Sequence, residues 1–144
     1  MSLVVQKFGG TSVGDADRIR AVADHIARTR RSGTDVVVVV SAMGKTTDHL
    51  VRLAADVSSV QPDREVDMLL SSGERITMAL LCMALAELGV EAVSFTGSQA
   101  GMITDTVHTR AKILRSKATG SVPRWMQGWS LWSPASRGSR PTKR

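Results

Sequence analysis

The chain has 144 residues, 42% of them hydrophobic, which is enough for one domain with a buried core. Residues 1–114 carry 12 basic and 13 acidic side chains, whereas residues 115–144 carry seven basic side chains and no acidic one, so the net charge of +6 comes from the end of the chain. No apolar run approaches the ~20 residues of a membrane span and no basic, cleavable leader opens the chain; we therefore expect a cytoplasmic protein without a membrane partner.

The first predicted element is a buried strand over residues 3–7, a short apolar run rich in valine and leucine. Glycines and hydroxyl residues follow at 9–14, and an amphipathic helix begins near Asp15. Strand, glycine-rich turn and helix in this order can present backbone N–H groups to an anion, and Lys7 stands where the strand ends. The pattern suits a phosphate-binding loop and equally a plain turn that requires glycine.

The helix after this loop has apolar residues at spacings of three and four, and Gly33 is its expected C-cap. Five consecutive valines, residues 36–40, predict a strand buried on both faces, as in parallel sheets covered by helices. Strand, helix and strand form a right-handed βαβ unit, so both strands end at one edge of the sheet. The loop after Lys7 should therefore lie beside the loop after Val40.

The second loop, residues 41–48, ends this strand and opens another helix. Its Gly-Lys-Thr triplet resembles the end of a Walker A loop, but Val39 stands where that loop requires glycine, so we reject a P-loop. An anion at this helix N-terminus would meet three hydroxyls and one ammonium, those of Ser41, Thr46, Thr47 and Lys45. Simple helix capping by the two threonines and Asp48 explains the same residues.

Residues 64–70 are predicted to form a short helix, interrupted at residues 71–73 by Ser-Ser-Gly, and residues 74–88 a long core helix. Glu74 is conspicuous because the rest of the second helix is largely apolar. The helix dipole stabilises a carboxylate in the first turn, which would explain Glu74 without any ligand. The other interpretation is that Glu74 binds the ammonium group of a small substrate.

Residues 91–96 predict a third strand, and residues 102–104 extend again after a polar glycine loop. His108 has no second residue at metal-ligand spacing, so we expect an exposed loop histidine and no metal site. Cys82 is the only cysteine, and it should be a small hydrophobe within the core helix.

Four motifs occur in order: Lys-Phe-Gly-Gly-Thr-Ser-Val at 7–13, Val-Val-Ser-Ala-Met-Gly-Lys-Thr-Thr-Asp at 39–48, Ser-Ser-Gly-Glu-Arg-Ile-Thr-Met at 71–78 and Ser-Phe-Thr-Gly-Ser-Gln-Ala-Gly at 94–101. Together they resemble bacterial aspartokinases, members of the amino-acid kinase family. The resemblance implies an α/β fold of three layers, α/β/α and carbamate kinase-like, which is incomplete here. It also implies ATP-dependent phosphorylation of the aspartate side chain to 4-phospho-L-aspartate, the first step toward lysine, threonine and methionine.

The resemblance also implies roles for individual residues. Lys7 would be catalytic by neutralising the transferring phosphoryl group, and the ATP site would be lined by Lys7, Phe8, Gly9, Gly10 and Ser41. The aspartate would be held by Lys45, Thr46, Thr47 and Glu74, with its α-ammonium on Glu74. ATP with Mg²⁺ is the implied cofactor, and a homo-oligomer is the implied assembly of the full-length proteins. Phosphoryl transfer depends mostly on positioning and charge neutralisation, which agrees with these residue types.

The resemblance ends at about residue 114, and residues 115–144 hold all three tryptophans with much serine and arginine. They lack helix or strand periodicity, and we expect disorder. Back-translating residues 124–139 with permissible, GC-rich synonymous codons and reading one base back can give Val-Asp-Ala-Gly-Val-Val-Ala-Val-Val-Ala-Gly-Phe-Gln-Gly-Val-Ser, similar to the next aspartokinase strand. We interpret the segment from about Arg115 as out of frame and expect the truncated chain to be inactive.

Two alternatives to aspartate kinase are considered. One is another amino-acid or carbamate kinase of the same superfamily, against which Glu74 and the loop at 41–47 argue. The other is a nucleic-acid-binding arm at residues 115–144, because basic charge with interleaved aromatic side chains is its usual cue. We expect no nucleic-acid partner, since an out-of-frame segment carries no evolved function.

Overall fold

The computed structural model describes residues 2–116 and the backbone of residues 129–133. A parallel sheet of strand order β1-β2-β6-β3 forms its centre, and β4 pairs antiparallel with β5. This confirms the predicted α/β class. In chain order the elements are β1 (Leu3–Phe8), a 3₁₀ turn (Gly10–Val13), α1 (Ala16–Arg31), β2 (Asp35–Val40), α2 (Thr46–Val57), α3 (Asp63–Glu87), β3 (Ser94–Thr96), β4 (Met102–Thr104), β5 (Ile113–Ser116) and β6 (Trp129–Ser133).

Helices cover one face of the main sheet. Alternate residues of β2, such as Val38, are at most 1% exposed and share a core with Ile26 of α1 and Leu81 of α3. The opposite face is open in the described part of the chain, where Leu3 is 66% and Val5 64% exposed. The predicted strand at 3–7 is confirmed, but its predicted burial is wrong, because β1 lies at a sheet edge and none of the described helices covers its second face.

Helix α1 begins and ends where the sequence predicts. The Asp15 carboxylate caps it by accepting a hydrogen bond from the backbone N–H of Arg18 at 2.8 Å. After its last turn, Gly33 takes a positive φ of +87°, which a side chain would resist. Its apolar stripe is buried against the sheet.

Helix α3 is continuous from Asp63 to Glu87, so the predicted interruption at residues 71–73 is wrong. The hydroxyls of Ser71 and Ser72 donate to carbonyls three residues earlier, at 2.9 and 2.6 Å, and are satisfied inside the helix. Gly73 is buried against Ala42 in the loop after β2, and the lack of a side chain at this position allows the helix and the loop to pack closely. The Ser-Ser-Gly sequence at 71–73 favours a helix break when it is read locally, but in the folded chain it is part of the continuous helix.

By length and composition alone, α3 is long and apolar enough to cross a membrane. Its residues Met78, Leu81 and Leu85 are nevertheless buried in the core shared with α1 and β2, which is the position of a core helix. Cys82 packs beside this core, as predicted, and burial raises the pKa of its thiol to about 11.

The end of the chain departs from expectation. Strand β6 (Trp129–Ser133) lies between β2 and β3 and runs parallel to both, so the expected disorder of residues 115–144 is not met there. Residues 115 and 116 likewise belong to β5. A gap between two parallel strands leaves backbone groups that any inserted strand can satisfy, whatever its side-chain period. Residues 117–128 and 134–144 of that segment lie outside the described residues.

The third predicted strand is shorter than expected, and the next extended segment has its predicted length. Of the strand expected at 91–96, only Ser94–Thr96 pairs in the sheet. The extended segment predicted at 102–104 forms β4, as expected.

Candidate functional site

The loops after β1 and β2 lie side by side at one edge of the sheet, as the βαβ argument predicts. The strands pair in register up to Phe8 and Val40. Beyond them, the N–H of Ser41 donates to the carbonyl of Phe8 at 3.2 Å, and the N–H of Gly44 donates to the carbonyl of Gly10 at 3.0 Å. Two hydrogen bonds thus join the loops into one surface.

The glycines of these loops serve different purposes. A Cβ on Gly10 would lie 2.7 Å from the carbonyl oxygen of Ala42, so this glycine is required by the contact between the loops. A Cβ on Gly9 would meet nothing within 4 Å. The packing explanation therefore accounts for Gly10, whereas Gly9 lies on the open side, where a ligand has access to the backbone.

Two lysines lie on this surface. Lys7 is the exposed penultimate residue of β1, and Lys45 is exposed at the N-cap position of α2. Within residues 2–116, neither ammonium group forms an ion pair with a carboxylate. Unpaired positive charge next to a helix N-terminus favours an anionic ligand.

Helix α2 begins at Thr46 without a capping side chain, because Lys45 occupies the N-cap position and makes no capping hydrogen bond. Thr46, Thr47 and Asp48 instead form its first turn. The two threonines therefore do not cap this helix. Thr47 is exposed at this helix end, where its hydroxyl is accessible to a ligand.

Glu74 is the most unusual group of the site. Its Oε2 atom is buried and has no hydrogen-bond partner among the described residues. Burial raises the pKa of the Glu74 carboxyl, an effect partly offset by a hydrogen bond from its own backbone N–H. An unpaired buried carboxylate costs free energy that a bound cation or donor would recover.

The turn of α3 that carries Glu74 contacts the loop after β2. A Cβ on Gly73 would lie 3.0 Å from the Cβ of Ala42 and 3.4 Å from Cγ2 of Thr46. All of the predicted site residues thus lie on β1, α2, α3 and the loops between them, which meet at this edge. The ring of Phe8 is an exception in orientation, since it packs against the core and meets the ring of His25 edge-on, with centroids 6.2 Å apart.

Some residues of the site were missed by the sequence argument. Ala42 and Gly73 join the loops after β1 and β2 to α3. The only sequence signal for this contact was a glycine inside an apolar helix. Arg18 braces the first loop by donating to the carbonyl of Thr11 at 2.6 Å, and its guanidinium is 3.4 Å from the Asp15 carboxylate. Such pairings across a loop leave no periodic trace in the sequence.

His108 is exposed, as predicted, and has a partner that was not predicted. Its Nδ1 lies 3.2 Å from Oδ2 of Asp67, and the same oxygen accepts the N–H of Thr109 at 3.0 Å. These contacts attach the loop after β4 to the first half of α3.

Comparison with known proteins gives a consistent result. The chain is 61% identical over 114 residues to the aspartokinase of Mycolicibacterium smegmatis, an alignment that covers 79% of this chain and 27% of that protein. The chain thus spans about a quarter of the length of the curated relatives it matches.

Solved structures share the fold. The aspartate kinase from Synechocystis superposes with a TM-score of 0.77 at 45% identity, over 92% of this chain and 21% of that one. Aspartokinase III of E. coli, in complex with aspartate and ADP, superposes with a TM-score of 0.75 at 22% identity, over 92% of this chain and 40% of that one. The family model described as "Amino acid kinase family" matches residues 2–124. With most of its length matched, and with the paired loops already described, the chain belongs to the amino acid kinase family.

Proposed function

We propose that this chain forms one wall of an aspartate kinase site, in which L-aspartate and the terminal phosphate of ATP meet. The observation that carries the proposal is the Oε2 atom of Glu74, which is buried and has no hydrogen-bond partner among the described residues. The neighbouring Gly73 contacts the loop after β2, and within residues 2–116 the ammonium groups of Lys7 and Lys45 form no ion pair. A carboxylate oxygen that lacks a donor, together with ammonium groups that lack a carboxylate, is complementary to a small amino acid and a phosphate. Aspartokinase III of E. coli was solved with such a pair, aspartate and ADP.

Each group has a proposed task. The ammonium of Lys7 would neutralise charge on the transferring phosphoryl group, and the backbone of Gly9 and Gly10 would donate to the nucleotide phosphates. Ser41 and the backbone of Phe8 would line the nucleotide side. Magnesium would accompany ATP and neutralise part of the phosphate charge.

The amino acid would bind on the other side. Its α-ammonium would pair with Glu74, which recovers the cost of burying that carboxylate. The hydroxyls of Thr46 and Thr47 and the ammonium of Lys45, at the N-terminus of α2, would hold its carboxylate groups. The side-chain carboxylate of aspartate would then attack the terminal phosphate with no covalent enzyme intermediate.

The proposal is tested by titrating the isotope-labelled 144-residue chain with L-aspartate and, separately, with a non-hydrolysable ATP analogue, while recording amide NMR spectra. Aspartate should shift the amide signals of Thr47 and Glu74, and the nucleotide those of Gly9 and Gly10. Glu74→Gln should weaken the aspartate response roughly tenfold to a hundredfold, the usual value of a hydrogen bond to a charged group, and leave the nucleotide response unchanged.

Glu87→Gln is the matched control, because Glu87 is exposed near the end of the same helix. It should leave both responses unchanged. Absence of any aspartate-dependent shift at Glu74, or equal effects of the two substitutions, would refute the proposed site.

We further propose that catalysis requires residues not present in this chain, and that the 144 residues alone give no turnover. The support is that the chain covers 27% of its curated relatives. Incubation with ATP and L-aspartate should release no ADP above the buffer rate; sustained aspartate-dependent release would overturn this. Cytoplasmic location and homo-oligomeric assembly of the full-length protein stay predictions.

We also propose that residues from about Arg115 onward are translated out of frame. Strand β6 supports this, because a position between β2 and β3 in a parallel sheet suits a continuous apolar strand, whereas its sequence is Trp-Ser-Leu-Trp-Ser. Read one base back with permissible synonymous codons, Trp129–Ser133 can give Val-Val-Ala-Val-Val. Sequencing the DNA around codons 113–116 decides the matter, and an intact frame there would end the hypothesis.

A further inference from the structure

Ala42 lies between the two halves of the site. It is 6% exposed, follows β2 directly after Ser41, and has a different neighbour on each side. Its carbonyl oxygen would be 2.7 Å from a Cβ on Gly10, on the phosphate side. Its Cβ would be 3.0 Å from a Cβ on Gly73, on the Glu74 side.

The first contact is closer than a side chain allows, and the second is tight. A Cβ contact of 2.7 Å with a backbone oxygen is not found in real structures, and one of 3.0 Å requires the neighbour to move. The Gly10 loop is also tied to the Ala42 loop by the hydrogen bond from Gly44, at 3.0 Å. Ala42 contacts both the Gly10 loop and the turn of α3 that carries Glu74. The size of this one residue therefore fixes the distance between them.

We infer that the Gly10–Ala42–Gly73 stack sets the length of the amino acid that the site accepts, with Ala42 and Gly73 as positioning residues. The inference rests on the proposed function, in which the α-ammonium binds at Glu74 and the phosphoryl group at Lys7 and Gly10. Aspartate and glutamate differ by one methylene group, so the spacing between these two positions discriminates between them.

The first test is a double-mutant cycle on thermal unfolding of the full chain, which needs no ligand. Gly73→Ala adds a methyl group that meets the Cβ of Ala42, and Ala42→Gly removes that atom. The change in unfolding midpoint caused by Gly73→Ala should be more favourable by about 4 °C or more in the Ala42→Gly background. The helix propensity gained at residue 73 is the same in both backgrounds and cancels.

Gly10→Ala is the matched control. Its methyl group would meet the carbonyl oxygen of Ala42, which Ala42→Gly retains. This substitution should therefore be equally damaging in both backgrounds, including the case in which it prevents folding. An equal change in unfolding midpoint on Gly73→Ala in the two backgrounds would refute the proposed contact between residue 73 and the side chain of Ala42.

The second test compares binding of L-aspartate and L-glutamate by amide NMR. The parent chain should prefer aspartate by about tenfold or more, the usual discrimination for one methylene. Gly73→Ala should move this ratio toward unity, and the double variant with Ala42→Gly should restore it. If Gly73→Ala leaves the preference for aspartate over glutamate unchanged, the proposed role of the stack in substrate specificity is refuted. Binding of neither amino acid by the parent chain would refute the proposed function itself, and with it this role, while the unfolding cycle still decides whether the stack exists.

Discussion

At the scale of single residues, Glu74 couples the site to stability. Burial raises the pKa of its carboxyl above the ordinary value of 4.5. The folded chain therefore binds this proton more tightly than the unfolded chain does, and its stability falls as pH rises from about 4.5 through the folded pKa. The penalty is absent below this window and complete above it. Burial of the Glu74 carboxyl thus weakens the fold above this pH window.

Glu74→Gln should remove this penalty. Urea unfolding near pH 7 should show the variant to be more stable than the parent, and the difference should vanish near pH 4, where the parent carboxyl is protonated. A variant that is less stable at neutral pH, or a difference independent of pH, would contradict the burial argument.

At the scale of elements, α3 contributes Met78, Leu81 and Leu85 to the core. Leu81 is fully buried, whereas Met83, two residues later, is 66% exposed. Leu81→Ala should lower the free energy of unfolding by about 2–5 kcal/mol, since it deletes buried methyl groups and leaves a cavity. Met83→Ala should change it by no more than about 0.5 kcal/mol. Denaturant titrations of both variants test which face of α3 is buried. Similar losses of unfolding free energy would show that the buried and exposed faces are assigned wrongly.

Helix α1 offers a second prediction at this scale. Asp15→Ala should cost about 1 kcal/mol, because the backbone N–H of Arg18 loses its acceptor at the helix N-terminus. Asp15→Asn retains an acceptor oxygen and should cost a few tenths of a kcal/mol, since the exposed ion pair with Arg18 contributes little. Equal losses in both variants, measured by thermal unfolding, would assign the effect to charge and not to capping.

At the scale of the whole molecule, the open sheet face is where we expect self-association to begin. Leu3 and Val5 expose apolar side chains on a strand at the sheet edge, where the described residues provide no cover. Replacing both by lysine should reduce self-association in light scattering and shift the free energy of unfolding by about 0.5 kcal/mol at most. Val36→Lys, at a position 1% exposed on the covered face, should abolish folding. Unchanged scattering of the double variant would show that association arises elsewhere.

Features that depend on near neighbours follow directly from the order of the amino acids. The valine run of β2, the Asp15 cap and Gly33 are properties of a few consecutive residues, and the order of strand, loop, helix and strand placed Lys7 and Thr47 at one sheet edge. Tertiary structure decided the rest. In the folded chain, α3 runs unbroken through Gly73, one oxygen of Glu74 is buried, and one face of β1 is left uncovered by the described residues. These outcomes depend on contacts between residues far apart in the chain, whose energies no local propensity contains.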